Sequence, residues 1–266
     1  MIGINKQIII YSKIEKPEVT MRRILILVLA IAFLSGLVQS QTVDEIIKNH
    51  IEAKGGAAKL EAVKTATAVG KMVRMNMEMK FSLYYKKPKM TRTEVTFSDK
   101  KMVFAFDGET AWQISPFTGI EGPQVMTGDQ AEDAKETAEM FENPLIDYEK
   151  KGHKVELMGK DELEGTEVYK VKLIKKDNKE IIFYIDTENF IDLKTEMTRV
   201  RKDGKEIKSE SYSGDFKEVD GMMNAFSIRT LVNGMEMGNI VIESLKFDEP
   251  LEDSFFKMPE KVEEEK

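Results

Sequence analysis

From Thr65 onwards, apolar and polar residues alternate along most of the chain, and this period of two limits the fold more than any other feature. Successive side chains of a β-strand point to opposite faces, so the pattern predicts strands that bury one face. The clearest run has an apolar residue at every second position: Val73, Met75, Met77, Met79, Phe81, Leu83 and Tyr85. We therefore expect a mainly β protein.

Turn dipeptides separate the apolar runs and favour antiparallel hairpins. They are Asp107-Gly108, Glu164-Gly165, Asp177-Asn178, Asp203-Gly204, Asp220-Gly221 and Asn233-Gly234. The expected strands are a first pair that turns near Asn76–Met79, then Met90–Phe97, Met102–Phe106, Thr110–Ile114, Lys154–Met158, Val168–Lys175, Glu180–Ile185, Asp192–Val200, Glu206–Phe216, Met222–Val232 and Met235–Phe247. An antiparallel meander of about ten or eleven strands is too large for a flat sheet, so strong curvature or partial closure is expected.

Two regions have helical patterns, one before the strands and one between them. Apolar residues three and four positions apart predict an opening helix: Val43, Ile46, Ile47, His50 and Ile51. Gly55-Gly56 would end it, and a short helix is expected over Ala57–Val63. Because these helices precede the strands, the predicted fold class is α+β with mainly β content.

The second helical pattern follows a predicted loop, Ser115–Met126. Thr127 and Gln130 have the spacing of a capping box, which predicts a helix start here. The expected inward face consists of small residues and one aromatic ring: Ala131, Ala134, Ala138 and Phe141. Because most of that face is alanine, we expect a weakly packed helix that could move, ending at Asn143-Pro144.

The first forty residues have the composition of an export signal. Met21-Arg22-Arg23 precedes Ile24–Leu34, an uncharged apolar run too short for the roughly 20 residues of a bilayer span. Val38 and Ser40 are the small residues expected to flank the cut, so we expect cleavage after Ser40 and delivery to the periplasm. Residues 1–20 are interpreted as an upstream extension from a misassigned start, residues 41–259 as one domain, and residues 260–266 as an acidic disordered tail. The chain has no cysteine, so no acyl anchor is expected after the signal.

Nothing in the sequence predicts catalysis, a metal site or a cofactor. The chain contains no G-x-S-x-G, phosphate-binding or dinucleotide-binding motif. Of the two histidines, His50 is expected to be a packed core imidazole, and His153 has no acidic neighbour at ligand spacing. The net charge of −7 argues against nucleic acid and anionic membrane surfaces as partners.

The 17 methionines allow two interpretations. Several alternate along strands, where they could fill an irregular core or line a deformable surface for a flexible ligand, since an unbranched thioether adapts to many shapes. Candidates for an apolar cavity lining are Met75, Met77, Phe81, Leu83, Tyr85, Phe104, Phe106, Trp112, Met235 and Met237. Alternation does not settle which face of each strand points inward.

Several segments, spread over most of residues 43–259, share the spacing of one known family: Asp44 to Gly56, Leu60, Gly70, Phe81 to Arg92, Phe106 to Trp112, and Asp253 to Pro259. In these segments the chain resembles the outer-membrane lipoprotein carrier superfamily, the LolA-like proteins. The match lies in its broad branch, which is not restricted to dedicated carriers. The resemblance implies an incomplete, strongly curved antiparallel β-barrel whose helices cover an apolar cavity on the concave face.

The resemblance also implies partners and a closing mechanism. A carrier would bind acyl chains of lipoproteins or other lipids, receive them from an inner-membrane exporter and pass them to an outer-membrane acceptor, as a monomer. Arg92 matches the family arginine that ties down the lid, so the expected lid and closure residues are Arg92, Ala134, Ala138 and Phe141. The alternatives are a non-enzymatic sensor or scaffold domain in envelope stress signalling that uses the same concave surface, or an envelope enzyme that uses acidic residues.

Overall fold

The alternating segments pair into one antiparallel sheet of thirteen strands in the computed structural model, which describes residues 41–201 and 203–260. The strands are β1 Thr65–Arg74, β2 Met77–Lys86, β3 Met90–Phe97, β4 Lys100–Phe106, β5 Ala111–Ser115, β6 Ile120–Val125, β7 Lys154–Leu163, β8 Thr166–Ile174, β9 Glu180–Asp186, β10 Asp192–Val200, β11 Glu206–Val219, β12 Met222–Val232 and β13 Met235–Phe247. The helices are α1 Val43–Ala53, α2 Ala57–Ala62 and α3 Asp129–Met140, with short 3-10 turns at Pro116–Thr118 and Asp253–Phe255. The predicted signal and tail lie outside the described residues.

The strand order is β6-β5-β4-β3-β2-β1-β13-β12-β11-β10-β9-β8-β7. Every neighbour is a hairpin partner except β1 and β13, which pair the first strand with the last, as in Ala66 opposite Phe247. Within the described residues, β6 and β7 are the edges and do not pair, so the sheet is not closed. The mainly β, antiparallel prediction is confirmed, with more strands than expected.

The largest error in the predicted elements is the loop at 115–126. Its second half forms β6, which pairs with β5 in the register Trp112 opposite Val125. Gly122 and Pro123 within it argue against a central strand, but proline is tolerated at a sheet edge, where one side has no ladder to complete. The first hairpin also turns earlier than predicted, at Met75-Asn76, where both residues have positive φ.

Helix α1 is fixed at both ends. The Glu45 N–H donates to Thr42 Oγ1, and the Thr42 N–H donates to Glu45 Oε2, which completes a capping box. At the other end Gly55 has φ +116°, and a Cβ there would lie 2.6 Å from the carbonyl oxygen of Gly221. Only glycine allows this close approach of the helix end to the β11–β12 turn.

Helix α3 starts differently from its prediction. Its N-cap is Gly128, with φ +61° and no side-chain capping bond, so the capping box expected from Thr127 and Gln130 does not form. Two acidic residues in the first turn, Asp129 and Glu132, favour the helix start through the dipole instead.

Cross-strand pairing assigns side chains to the two faces of the sheet, because residues directly opposite in antiparallel strands point the same way. One row runs Val171, Phe183, Thr195, Ser211 and continues, two residues along β11, as Ser213, Ile228, Ile240, Met72. On the same face of β1 to β5 lies the row Ala68, Leu83, Thr93, Phe104, Gln113. Since α1 and α3 both pack on this face, we call it the helix-bearing face.

Candidate functional site

Helix α3 packs on one end of the helix-bearing face through small contacts. Ala131, Ala134 and Ala138 lie against a cluster contributed by β4, β5 and the segment after β6: Phe106, Ala111 and Met126. The helix itself therefore contributes alanine to this contact, as the sequence predicted. Just beyond α3, the ring of Phe141 stacks on Tyr85 with centroids 5.1 Å apart. The Tyr85 hydroxyl donates to Glu142 Oε1 at 2.5 Å, and burial together with this bond raises the pKa of Tyr85.

Helix α1 packs on the other end against large aliphatic and aromatic side chains. Ile46 and Ile47 belong to the main core cluster, whose remaining buried members are Leu145, Val171, Leu173, Ile181, Phe183 and Ile185. His50 is 2% exposed and its Nδ1 lies 2.8 Å from the Phe190 carbonyl oxygen. His50 is thus a packed core residue, as expected.

Between these two ends, the helix-bearing face carries a strip of apolar side chains that are only partly buried. We call it the central strip: Met72, Leu83, Phe104, Ile228 and Ile240. Phe104 is 37% exposed, while Ala68, Phe226 and Ile242, which lie beside the strip on the same face, are buried. An apolar surface of this kind is available to an apolar ligand.

The predicted lining residues divide into three groups. Five strand positions lie on the helix-bearing face: Phe81, Leu83, Tyr85, Phe104 and Phe106. Four methionines lie at or near the adjacent β1–β2 and β12–β13 turns, at one end of the sheet, and are 37–79% exposed: Met75, Met77, Met235 and Met237. Trp112 forms the third group, because it is fully buried on the opposite face.

Arg92 also lies on the opposite face, in the row of Trp112 and Ala105, so its position does not fit the expected role in closing a lid. Its Nε donates to Glu94 Oε1 at 2.9 Å and its Nη1 donates to the Phe255 carbonyl oxygen at 2.8 Å. The guanidinium also stacks over the Phe255 ring, 4.5 Å from the centroid. Arg92 therefore holds the segment after β13 against the sheet. The other three predicted closure residues, Ala134, Ala138 and Phe141, lie in or just after α3 and contact the helix-bearing face.

Ion pairs link α3 to the sheet much more extensively than the sequence suggested. The acidic partners on the helix are Asp129, Glu132, Asp133, Glu136 and Glu139, and the basic partners are Lys89, Lys175, Lys179, Arg199 and Arg201. Burial alone would raise the pKa of Glu139, but hydrogen bonds from Lys175 and Lys89 outweigh it and lower that pKa. The signal missed in the sequence was the spacing of the acids, which places them on neighbouring turns of one helix.

A cavity of about 640 Å³ lies beside α3, bordered by the segment after the helix, the β8–β9 turn and β10. Its basic lining residues are Lys89, Lys135, Lys150, Lys151, Lys175, Lys176, Lys179 and Arg199. Its acidic lining residues are Glu136, Glu139, Glu142, Asp177 and Glu180, three fewer than the basic ones. Met140, Pro144, Ile181 and Met197 supply apolar surface. None of the predicted lining residues borders this cavity, because the prediction considered apolar side chains alone.

Within residues 41–201 and 203–260, no group of three or more histidine or acidic side chains is arranged to hold a metal ion. In the same part of the chain, none of the helices has the length and apolarity that a membrane span requires. Burial and the charges of Lys175 and Lys151 lower the pKa of His153, whose Nδ1 accepts a hydrogen bond from the Lys176 N–H at 3.3 Å.

Comparison with solved structures defines the class of fold. A LolA superfamily protein from Nitrosomonas europaea aligns with a TM-score of 0.50 at 14% identity, over 82% of this chain and 98% of that one. A domain from Vibrio parahaemolyticus, provisionally assigned to outer membrane lipoprotein sorting, aligns with a TM-score of 0.51 at 12% identity, over 79% and 95%. The fold of this chain is therefore LolA-like, as the resemblance in sequence predicted.

Further comparisons agree with this fold and add no specific function. A DUF1329 family protein from Desulfovibrio piger aligns with a TM-score of 0.53 at 12% identity, over 82% of this chain and 98% of that one. A protein family described as "-like: Uncharacterized protein" matches residues 144–260, which include β7 to β13. The search of curated proteins found no match.

Proposed function

We propose that this chain is a non-enzymatic, periplasmic lipid-binding protein that takes the acyl chains of lipoproteins or other lipids on its helix-bearing face. The observation that carries this proposal is the central strip, where large apolar side chains stay partly exposed between α1 and α3. A core that had no ligand to accommodate would be expected to cover such a surface. In this proposal the face is concave, and the two helices cover its ends.

The energy of acyl binding is compatible with such a surface. Each buried methylene contributes roughly 0.8 kcal/mol, so one long acyl chain could gain on the order of 10 kcal/mol before ordering costs are subtracted. A carrier must also release its cargo. The alanine contacts of α3 are small, which would let this helix move when cargo enters or leaves.

Transport toward the outer membrane is the more specific part of the proposal. It is supported by the predicted export signal, by the absence of cysteine, and by the fold shared with a domain provisionally assigned to lipoprotein sorting. The donor would be an inner-membrane exporter and the recipient an outer-membrane acceptor.

Native mass spectrometry with lipid extraction, on protein purified from a periplasmic fraction without detergent, tests the proposal. We expect a bound acyl species that disappears on delipidation. Phe104→Gln should reduce its occupancy severalfold, because a half-exposed ring of the central strip is replaced by a polar amide. Val69→Gln is the matched control, since Val69 is 40% exposed on the opposite face.

Two results would contradict the proposal, one its ligand and the other its binding face. One is an apo mass combined with no uptake of added lipids or acylated peptides, which would direct the search to protein partners and the sensor alternative. The other is an equal loss of occupancy in Phe104→Gln and Val69→Gln, which would separate binding from the helix-bearing face.

A further inference from the structure

We propose that the cavity beside α3 binds the anionic headgroup, a carboxylate or a phosphate, of a single-chain amphiphile. This inference rests on the proposed lipid-binding function and adds the chemistry of the ligand's polar end. Its starting observation is a contrast of charge. The chain carries a net charge of −7, but the cavity lining has eight basic and five acidic side chains. A concave surface with an excess of basic groups attracts anions more strongly than the rest of an acidic chain does.

Arg199 supplies the first specific donor. It lines the cavity, and its Nε, which is buried, has no hydrogen-bond partner among the described residues; in this proposal a rotation of the side chain brings that N–H to the ligand. Its Nη1 is already engaged, in contact with Asp133 and 3.6 Å from a Glu136 oxygen. A buried guanidinium N–H without an acceptor is costly, and an oxyanion is the acceptor that a guanidinium binds best.

Lys151 supplies the second donor. Its Nζ donates to the carbonyl oxygens of Glu142 at 3.1 Å and Asn143 at 2.9 Å, where the chain leaves α3. An ammonium has three N–H donors, so one remains for a ligand. Burial lowers the pKa of Lys151, which a bound anion would counteract.

The cavity also has an apolar side, which selects an amphiphile over a small free anion. Ile181 is 3% exposed within the main core cluster, and Met140 and Met197 pack against the same cluster. The cavity volume of about 640 Å³ falls in the range of small-molecule sites, which accommodates a headgroup and the first part of one chain.

Calorimetric titration of the delipidated, exported protein with matched ten-carbon ligands tests the inference. The probes are decanoate, decyl phosphate, decanol and inorganic phosphate. Decanoate or decyl phosphate should bind at least about tenfold more tightly than both decanol and inorganic phosphate, because only these two ligands use both the charged and the apolar lining. The preferred anion identifies a fatty acid or a phosphate ester as the source. Their affinity should also fall as salt is added.

The variant Arg199→Gln should weaken binding of the preferred anion about tenfold. Arg201→Gln is its matched control: Arg201 also pairs with α3, through Asp129 at 3.7 Å, but it does not border the cavity. Lys151→Gln provides a second test if Arg199→Gln does not fold. Circular dichroism verifies the fold of each variant.

The outcomes separate this inference from the broader function. Equal binding of decanol and decanoate would overturn the anion site while leaving lipid binding intact. Binding of inorganic phosphate as tight as that of decyl phosphate would overturn the inference that the ligand is an amphiphile. No binding of any ten-carbon ligand would contradict both proposals. Equal effects of Arg199→Gln and Arg201→Gln would overturn the role of Arg199.

Discussion

At the residue scale, the burial of His50 makes the stability of the folded protein depend on pH. Burial lowers the pKa of His50 below 6.5, the nearby Asp192 carboxylate partly opposes this, and Lys54 reinforces it. The Asp192 carboxylate lies 3.9 Å from Nε2 and 3.0 Å from the ammonium of Lys54. The imidazole therefore remains neutral in the folded protein over a range in which the unfolded chain binds a proton.

The free energy of unfolding should consequently fall as the pH drops below about 6.5, by at most about 1.4 kcal/mol per pH unit from this group. Urea titrations between about pH 7 and pH 5.5 measure the slope. His50→Gln should reduce that slope even if it lowers stability at neutral pH. His153→Gln is the comparison variant: the pKa of His153 is also lowered, but this side chain is more exposed, so its loss should reduce the slope less than the loss of His50. An unchanged slope in His50→Gln would refute the assignment.

Arg92 marks the limit of residue-level prediction from this sequence. The segment around it matched the family pattern, but strand phase did not reveal which face Arg92 occupies. The same limit applies to strand β5, two strands along the sheet from Arg92, where Ala111, Trp112 and Gln113 are all buried. Both faces of β5 are covered, one near α3 and one by Phe256, whose carbonyl accepts from Trp112 Nε1 at 2.7 Å. Alternation carries little information where both faces are buried.

At the scale of elements, the strands were predictable and the attachment of α3 was not. Two-residue turns and period-two runs located nearly all hairpins, because both signals are local. The pairing of the α3 carboxylates with Lys175, Lys179 and Arg199 depends on folding of the sheet, so no short segment reveals it. The alanine face was a correct prediction, but it describes only half of the contact.

This attachment predicts that salt loosens α3 selectively. Partly exposed ion pairs are weak and are screened by salt. Helix α1 instead packs on the main apolar cluster, and salt does not screen apolar contacts. Raising sodium chloride from about 0.05 to about 0.5 M should increase hydrogen exchange of α3 amides severalfold and leave α1 amides unchanged. Equal acceleration in both helices would show that the ion pairs do not hold α3.

At the scale of the whole molecule, cross-strand side-chain ladders reinforce the open sheet. On the face opposite the helices, cations and aromatic rings alternate over β8 to β12: Lys170, Tyr184, Lys194, Tyr212 and Arg229. Lys194 is central, with its Nζ 2.5 Å from Glu210 Oε1, and this bond outweighs burial and raises its pKa. Such pairs stabilise strand neighbours without a second covering layer.

The β1–β13 pairing makes the sheet depend on its last strand. Gly70 fits here only because it lacks a Cβ, which would lie 2.0 Å from the Val241 carbonyl oxygen. A chain that ends at residue 234 should expose the unpaired edges of β1 and β12 and aggregate, as size-exclusion chromatography would show. The control is a chain that ends at residue 250, which loses the Phe255 segment but keeps all thirteen strands. A monomeric, native-like chain of 234 residues would contradict this dependence.

The same pairing sets the order of events during biosynthesis. The ribosome makes β1 before any other strand and β13 after all of them, so the middle of the sheet is the last part that can be completed. Loop closure over this long separation is slow compared with hairpin formation. The nascent chain thus remains incompletely folded until synthesis is nearly over, and the export proposed above would have to thread it in this period, before it becomes compact.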